Sequence, residues 1–301
     1  MGFLDLVNKE IIRNFANEMK TGLVLEGGAM RGLWTAGVID VMMEHGVQPD
    51  GLIGVSAGAA FGCNYKSRQI GRAIRYNTRF AKDPRYSGWK SLLTSGDYYN
   101  ANFGYHVVPF EYDKFDIETF QKNPLEFTVV CTDVETGQPV YHKMDHVDYN
   151  ELEWLRASAS MPLASKVVEV DGWKLLDGGV ADSIPLEYYE KQGYKRNVVI
   201  LTQPLGYRKK HLGLMPLMRL VLRKYPHFLK ALDERHLMYN CQLDYVAEAE
   251  RLGRCLVIRP DDNIPIGHLS HDAQQMQYVY ELGRAVGERY IDRIKEFYNK
   301  E

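Results

Sequence analysis

The sequence predicts an α/β fold with three layers, in which helices cover both faces of a mainly parallel sheet. Two short apolar runs, at 22–26 and 51–55, are each followed by a glycine-containing turn and then by apolar residues at helical spacing, at 30–44 and 57–65. This closely spaced strand, helix, strand, helix order is typical of parallel strands joined by right-handed crossovers. The overall composition, with 45% apolar and 25% charged residues, is that of an ordinary globular chain.

The first third of the chain contains two further predicted features. Apolar residues at helical spacing over 3–19 predict an opening amphipathic helix, and Gly46 is the predicted end of the helix over 30–44. The segment 83–113 is rich in proline, glycine and aromatic residues. We therefore predict a long loop there, with little regular structure.

The rest of the chain continues the alternation of strands and helices. The runs 127–132 and 140–142 predict a strand pair, 151–160 a helix, and Asp171-Gly172 a hairpin between 166–170 and 173–176. Further elements are predicted as helices near 184–192, 216–224, 227–252 and 272–299, and as strands at 197–201 and 255–259. Because no repeat or low-complexity linker interrupts the chain, we expect one domain over residues 1–301. Its core spans about 22–203, and the C-terminal strand and helices complete it.

Charge and cysteine content restrict the class of partner. The 37 basic and 39 acidic residues leave a net charge of −2, so we expect no nucleic-acid partner. The four cysteines lie far apart, which disfavours a disulfide scaffold or a zinc site and favours a reducing cytoplasm. The N-terminus is too polar for a signal peptide, and no apolar run is long enough to span a bilayer.

A G-x-S-x-G motif lies between the second predicted strand and its helix. Its residues are Gly54, Ser56 and Gly58. A serine at a sharp strand-to-helix turn needs small neighbours so that its oxygen can protrude, and the helix N-terminus favours developing negative charge there. The motif predicts a nucleophilic serine. The alternative is a plain turn in which Ser56 caps the helix.

The turn after the first strand is also rich in glycine. It reads Gly27-Gly28-Ala29, followed by Met30, Arg31 and Gly32. Exposed backbone amides at such a turn can bind an anion or a tetrahedral oxyanion, whereas the spacings of the phosphate loop and of the dinucleotide fingerprint are absent. We interpret Arg31 and Gly32 as residues that brace this loop, with contacts from Arg31 to backbone carbonyls. The alternative for Arg31 is guidance of an anionic substrate.

A third motif, Asp177-Gly178-Gly179, follows a predicted strand and by itself is an ordinary turn. The glycine-rich loop, the G-x-S-x-G and the later D-G-G, in this order, resemble the patatin-like phospholipases, which are serine hydrolases with a Ser–Asp dyad. The resemblance runs from about residue 22 to 203 and includes A-S-A-S-M-P at 157–162 and D-S-I-P at 182–185.

The resemblance implies a patatin-like fold and assigns roles residue by residue. Ser56 would be the nucleophile, Asp177 the base, and the backbone of residues 27–29 the oxyanion hole, with Arg31 in the family's basic position. The reaction would be hydrolysis of lipid-like carboxylic esters through an acyl-enzyme. It would need no cofactor and no metal.

Two other functions remain open at this stage. One is an esterase with a Ser-His-Asp triad, which would recruit a histidine after Asp177; the candidates are His211, His227, His236, His268 and His271. The other is a lipid- or acyl-binding regulator with weak turnover.

Two segments suit a lipid substrate. The aromatic stretch 86–105 is either a lid or lining for an acyl channel, or simply a packed loop. Residues 207–230 mix leucines with lysines and arginines, which fits either docking on an anionic membrane or a helix with an apolar inner face. The corresponding alternatives for location are a protein free in the cytoplasm and one bound peripherally at the inner membrane face.

Overall fold

A mainly parallel sheet forms the middle layer of the computed structural model, which describes residues 19–86, 88, 91, 96–98 and 100–300. The strands of the described chain are β1 (Lys20–Leu25), β2 (Gly51–Val55), β3 (Glu126–Asp133), β4 (Pro139–Lys143), β5 (Val168–Val170), β6 (Trp173–Asp177), β7 (Tyr194–Ile200) and β8 (Cys255–Ile258). Their order in the sheet is β5-β6-β3-β2-β1-β7-β8, with β4 paired to β3. β3, β2, β1, β7 and β8 run parallel, whereas β4, β5 and β6 pair antiparallel.

Helices cover both faces of this sheet. The α-helices of the described chain are α1 (Gly32–Glu44), α2 (Ala57–Lys66), α3 (Arg72–Phe80), α4 (Ile117–Lys122), α5 (Tyr149–Ser158), α6 (Leu186–Lys191), α7 (Met215–Val221), α8 (Pro226–Arg251) and α9 (Ala273–Asn299). One hydrophobic core joins the sheet to α1, α2, α5 and α9, and a second core joins it to α6 and α8. The predicted three-layer α/β/α class is confirmed.

The central strands are apolar at successive positions because both of their faces are covered. In β1, Leu23 and Leu25 belong to the first core and Val24 belongs to the second. Side chains alternate between the two faces of a strand, so burial on both faces requires a continuous apolar run. This is why the short runs at 22–26 and 51–55 could be recognised as strands.

The predicted long loop over 83–113 is wrong in its second part, where Asn102–Tyr112 forms a π-helix. Pro109 lies inside this helix, although a proline there removes an N–H donor and its ring crowds the preceding turn. Phe103 and Val108 are buried together with Phe80 of α3, and this packing outweighs the poor helix propensity. Helices α3 and α4 were not predicted at all. The predicted helix over 3–19 lies almost wholly outside the described residues, as do Trp89 and Tyr99.

The C-terminal helix α9 packs closely on α1. A Cβ on Gly283 would lie 2.0 Å from the carbonyl oxygen of Trp34, and one on Gly37 would lie 2.2 Å from that of Tyr280. The Tyr280 hydroxyl donates a 2.7 Å hydrogen bond to the carboxylate of Asp40, which joins the two helices. The last part of the chain therefore supports the helix that follows the glycine-rich loop. Within the described residues, no helix is both long enough and apolar enough to cross a membrane.

Candidate active site

Ser56 lies in a strained turn between β2 and α2. Its backbone has φ 54° and ψ −121°, a combination that side-chain-bearing residues rarely adopt. A Cβ on Gly54 would lie 2.6 Å from the amide nitrogen of Ala59, and one on Gly58 would lie 2.5 Å from the carbonyl oxygen of Leu25. The two glycines of the motif are therefore required by close backbone approach, and they permit the sharp turn that presents the Ser56 side chain.

The backbone of Ser56 is fixed by a side chain that the sequence did not single out. Its amide donates a 2.9 Å hydrogen bond to Oγ of Ser158, which in turn donates to the carbonyl of Val130 at 2.6 Å. Ser158 ends α5, and the neighbouring Ser160 accepts a 2.9 Å hydrogen bond at its carbonyl from the amide of Asp177. The A-S-A-S segment thus positions both Ser56 and Asp177.

Register along β3 brings Ser56 and Asp177 together. Val55 pairs with Val130, and Asp177 pairs with the next residue of the same strand, Cys131. The Oγ atom of Ser56 donates a 2.6 Å hydrogen bond to Oδ2 of Asp177, and both residues are buried. The other carboxylate oxygen accepts a 2.8 Å hydrogen bond from the amide of Gly179.

Burial sets the protonation behaviour of Asp177. Loss of hydration raises the pKa of this carboxyl group, while the charge of Arg235 and the hydrogen bond from Ser56 oppose that rise. A carboxylate with a raised pKa is a stronger base than an exposed aspartate. This arrangement can accept the hydroxyl proton of Ser56 when the serine oxygen attacks a carbonyl.

The glycine-rich loop lies directly beside this pair. A Cβ on Gly27 would lie 2.9 Å from the Cβ of Ser56, and Ala29 has the uncommon φ of 48°. Within the described residues, nothing accepts a hydrogen bond from the amides of Gly27, Gly28 or Ala29. Unpaired amides at the start of a helical segment suit an oxyanion.

Three residues hold this loop in place. The Thr202 amide donates to Oε2 of Glu26 at 2.6 Å, and the Thr202 hydroxyl donates to the carbonyl of Gly27 at 2.9 Å. The hydroxyl of Tyr239, on α8, donates to Oε1 of Glu26 at 2.6 Å. The buried carboxyl of Glu26 thus connects the loop to the end of β7 and to α8, and burial raises its pKa.

Arg31 makes a different contact from the expected one. Its Nη1 donates a 2.7 Å hydrogen bond to Nε2 of His268, and its hydrogen bonds within the described chain include no backbone carbonyl. The expected bracing of the loop through carbonyls is therefore corrected, since Glu26, Thr202 and Tyr239 supply the bracing. Gly32, the other predicted bracing residue, begins α1 and is buried against α2, where a Cβ would lie 2.7 Å from that of Ala57.

A mainly apolar cavity of about 150 Å³ opens beside Ser56. It runs between α2, α3, the π-helix and α5, and its apolar lining includes Met30, Phe61, Tyr76, Tyr105, Leu152 and Leu155. Tyr86, Ala101 and Gly104, from the stretch 86–105, also line it. An apolar cavity that contains the candidate nucleophile suits an acyl chain.

The hydrogen bonds of the described chain do not connect the five candidate histidines to the pair. Among the described residues, neither Ser56 nor Asp177 has a hydrogen bond to a histidine. His211 binds Asp233 at 2.6 Å and His271 binds Tyr98 at 2.7 Å. The part of the chain that the structure describes therefore has no imidazole hydrogen-bonded to Ser56 or Asp177, as a Ser-His-Asp triad would require. The same part of the chain contains no group of three His, Cys, Asp or Glu side chains placed to hold a metal ion.

Comparison with known protein families agrees with this arrangement. The family model described as patatin-like phospholipase matches residues 23–189, which is more than half of the chain, and a domain of unknown function (DUF6363) matches residues 225–299. The chain belongs to the patatin-like phospholipase family. The first match contains the glycine-rich loop, the G-x-S-x-G and the D-G-G.

Curated relatives include lysophospholipase nte1 of Aspergillus oryzae and the uncharacterized protein YjjU of Escherichia coli. The first is 26% identical over 91% of this chain and 18% of its own length. The second is 29% identical over 62% of this chain and 52% of its own length. The chain thus spans about a fifth of the lysophospholipases it matches. Among solved structures, VipD from Legionella pneumophila matches with a TM-score of 0.44 and 12% identity, over 91% of this chain and 67% of that one.

Proposed function

We propose that this protein is a serine hydrolase of lipid-like carboxylic esters, in which Ser56 is the nucleophile and Asp177 the general base. The observation that carries the proposal is the 2.6 Å hydrogen bond from Ser56 Oγ to Asp177 Oδ2 at an apolar cavity. Membership of the patatin-like phospholipase family and the named lysophospholipase relatives support the same chemistry.

The reaction follows from the geometry in two halves. Asp177 takes the hydroxyl proton while Ser56 Oγ attacks the ester carbonyl, and the amides of Gly27, Gly28 and Ala29 stabilise the oxyanion. The proton on Asp177 passes to the alcohol oxygen as the ester bond breaks. The alcohol departs, and the acyl group remains bonded to Ser56 Oγ. Water then attacks the acyl-enzyme, gives a proton to Asp177 and releases the fatty acid, and the proton returns to Ser56.

Hydrolysis of a short soluble ester tests this proposal. Ser56→Ala should abolish turnover, because it removes the oxygen that bonds to the acyl group. Ser67→Ala is the matched control, since Ser67 follows α2 at its other end and its hydroxyl bonds to the carbonyl of Asn64. Equal activity of the Ser56→Ala and wild-type proteins would refute the proposal. If the wild-type protein binds lipid stoichiometrically but does not hydrolyse the ester, the result would favour the alternative of a lipid-binding regulator.

We further propose that α7 docks the protein on an anionic membrane surface. The inner face of α7 is buried through Met215 and Met218, whereas Leu214 is 56% exposed and Leu220 is 68% exposed. Apolar side chains exposed next to lysines and arginines are typical of helices that lie in the membrane interface. The basic residues at or near this helix are Arg219, Arg223 and Lys224.

The position of α7 in the fold would bring a docked membrane close to the candidate active site. Its inner face shares a hydrophobic cluster with Leu176 and Val180, which flank the turn that begins at Asp177. A membrane that meets α7 would therefore lie close to the end of the sheet that carries the Ser56–Asp177 pair.

A further inference from the structure

A second cavity, of about 340 Å³, lies between the segment 207–212 and α8, and its lining is strongly basic. Arg208, Lys209, Lys210 and Arg235 all contribute to it. The cavity adjoins the candidate active site, because Arg235 Nε donates a 2.5 Å hydrogen bond to the carbonyl of Gly179, two residues after Asp177.

Three of these four cations form no ion pair among the described residues: Lys210, which is exposed, and Lys209 and Arg235, which are half-buried. Arg208 forms an ion pair with Asp244, whereas Lys209 and Arg235 form none within that part of the chain. The Lys209 ammonium instead lies 4.4 Å from the ring centre of Tyr239. A half-buried cation normally finds an acidic partner, so two such cations side by side need an explanation.

Arg31 adds a third cation to this group. Its guanidinium contacts the neutral acceptor atom of His268, and its Nε is buried with no hydrogen-bond partner in the described chain. Burial lowers the pKa of His268, and the charges of Arg31, Lys209 and Arg235 lower it further, which places all three cations near this imidazole. Arg31 thus has a buried donor that is unused within the described chain.

Nearby acids do not balance these three charges. Asp177 and Glu26 are the carboxyl groups that act on Lys209. Both oxygens of Glu26 already accept hydrogen bonds, and burial raises its pKa, which favours its neutral form. Asp177 also binds Ser56 and Gly179. At least one positive charge is left over beside the reacting groups.

We propose that Lys209 and Arg235, together with Arg31, bind the phosphate group of a phospholipid or lysophospholipid whose ester lies at Ser56. Guanidinium forks and a lysine ammonium are the donors that proteins use for phosphate oxygens. The acyl chain would occupy the apolar cavity and the head group the basic one, with the ester between them. The inference rests on the proposed function, because it places the phosphate by reference to the reacting ester.

The lowered pKa of Lys209 is consistent with a binding site for an anion in the basic cavity. Burial and the charge of Arg235 lower the pKa of Lys209 to about 8. A bound phosphate would favour the charged ammonium and restore a higher pKa.

The test compares two monomeric substrates with the same acyl chain, octanoyl-lysophosphatidylcholine and octanoylglycerol. Lys209→Met should lower the ratio of kcat/KM for the phosphate-bearing ester to kcat/KM for the neutral ester by roughly ten- to hundredfold, as expected for loss of one charged hydrogen bond. Lys114→Met, which removes an exposed lysine after the π-helix, is the matched control and should leave the ratio unchanged. An unchanged ratio in Lys209→Met overturns the assignment.

Binding measurements test the phosphate site independently of the proposed reaction. They also distinguish a lipid phosphate from free phosphate. Ser56→Ala protein should bind octanoyl-lysophosphatidylcholine more tightly than octanoylglycerol in calorimetry, and adding Lys209→Met should remove that preference. If the wild-type protein hydrolyses neither ester but Lys209→Met still removes the binding preference, the phosphate site is upheld and the hydrolase is refuted. If inorganic phosphate binds to Lys209 but the lipids show no preference, the substrate assignment is overturned.

Discussion

Asp177 owes its basicity to its position rather than to its residue type. It is buried at the end of β6, accepts hydrogen bonds from Ser56 and Gly179, and has a raised pKa because it has lost hydration. An exposed aspartate, with a reference pKa of about 3.9, would be a weak base at neutral pH. The burial of Asp177 therefore determines how strong a base it is for the proposed reaction.

Replacement of Asp177 by Asn should lower kcat by roughly 10²- to 10⁴-fold, which is the usual contribution of a positioned general base. The base must be ionised to accept a proton from Ser56. The kcat/KM of the wild-type protein should therefore fall as the pH decreases through the raised pKa of Asp177, and reach a plateau above it. A pH–rate profile from pH 4 to 9 measures this.

Single replacements of histidines by Gln serve as the controls, with circular dichroism to monitor folding. The positions are His211, His227, His236, His268 and His271. None should lower kcat by as much as Asp177→Asn. A loss of about 10³-fold in one folded histidine variant would show that Asp177 is not the base.

Thr202 provides a second test, directed at the glycine-rich loop. Thr202→Val keeps the side-chain shape but removes the hydroxyl that donates to the carbonyl of Gly27. We expect kcat to fall by about tenfold with little change in KM, because a misplaced oxyanion donor affects the transition state more than substrate binding. Thr21→Val, at the other end of β1, removes a hydroxyl that bonds to Asp50 and should not change kcat. An equal loss in both variants would contradict this role for Thr202.

The motif residues could be named from the sequence because each occupies a turn with a recognisable pattern. Ser56 and Asp177 are 121 residues apart, and the resemblance implied their meeting; strand direction alone does not, because Asp177 ends β6, which runs antiparallel to β3. Glu26 and Thr202 carry no such pattern, since their contact spans 176 residues and depends on β1 lying next to β7. The sequence suggested carbonyl contacts for Arg31 because the final loop, with His268, could not be placed without tertiary structure.

Close packing of α9 on α1 makes a testable demand on Gly283. Gly283→Ala would place a methyl group 2.0 Å from the Trp34 carbonyl oxygen, and only movement of the backbone can relieve that clash. We expect a loss of about 1–3 kcal/mol in the free energy of unfolding, in spite of the better helix propensity of alanine. Denaturant titration measures it. Gly213→Ala, where no atom lies within 4 Å of a Cβ, is the control, and an equal effect there would refute the packing argument.

Exposed leucines on α7 test the proposed membrane contact. The double variant Leu217→Ser, Leu220→Ser should bind vesicles of phosphatidylglycerol and phosphatidylcholine at least about tenfold more weakly in cosedimentation. The reason is that two apolar side chains are no longer buried in the membrane interface. Hydrolysis of a short soluble ester should be unaffected. Leu237→Ser, an exposed leucine on α8, is the control. Vesicle binding that is equal in all variants would leave α7 without a membrane role.

The failure to predict the π-helix has a physical cause. In the π-helix, Gly104 and Pro109 are poor helix formers, and the stabilising contacts come from Phe80 in a separate helix. A periodicity argument sees only local spacing, so it cannot include packing partners that lie elsewhere in the chain. The strands were predicted better because burial on both sides makes their apolar runs continuous.

The two segments that match family models, 23–189 and 225–299, contribute strands to the same sheet. β8 lies within residues 225–299 and pairs with β7, and α9 packs on α1 of the first match. We propose that the chain folds as one unit, as its sequence predicts. On this view the C-terminal segment also serves the site, since Tyr239, Arg235 and His268 contact residues of the N-terminal segment.

Labelling with a fluorophosphonate measures the nucleophilicity of Ser56, because the probe reacts with an activated serine whatever lipid the protein hydrolyses. The wild-type protein should gain one probe mass, and peptide mass spectrometry should locate it on Ser56. Asp177→Asn should label at least about 10²-fold more slowly. An inert wild-type protein, or a label on a serine other than Ser56, would contradict the account.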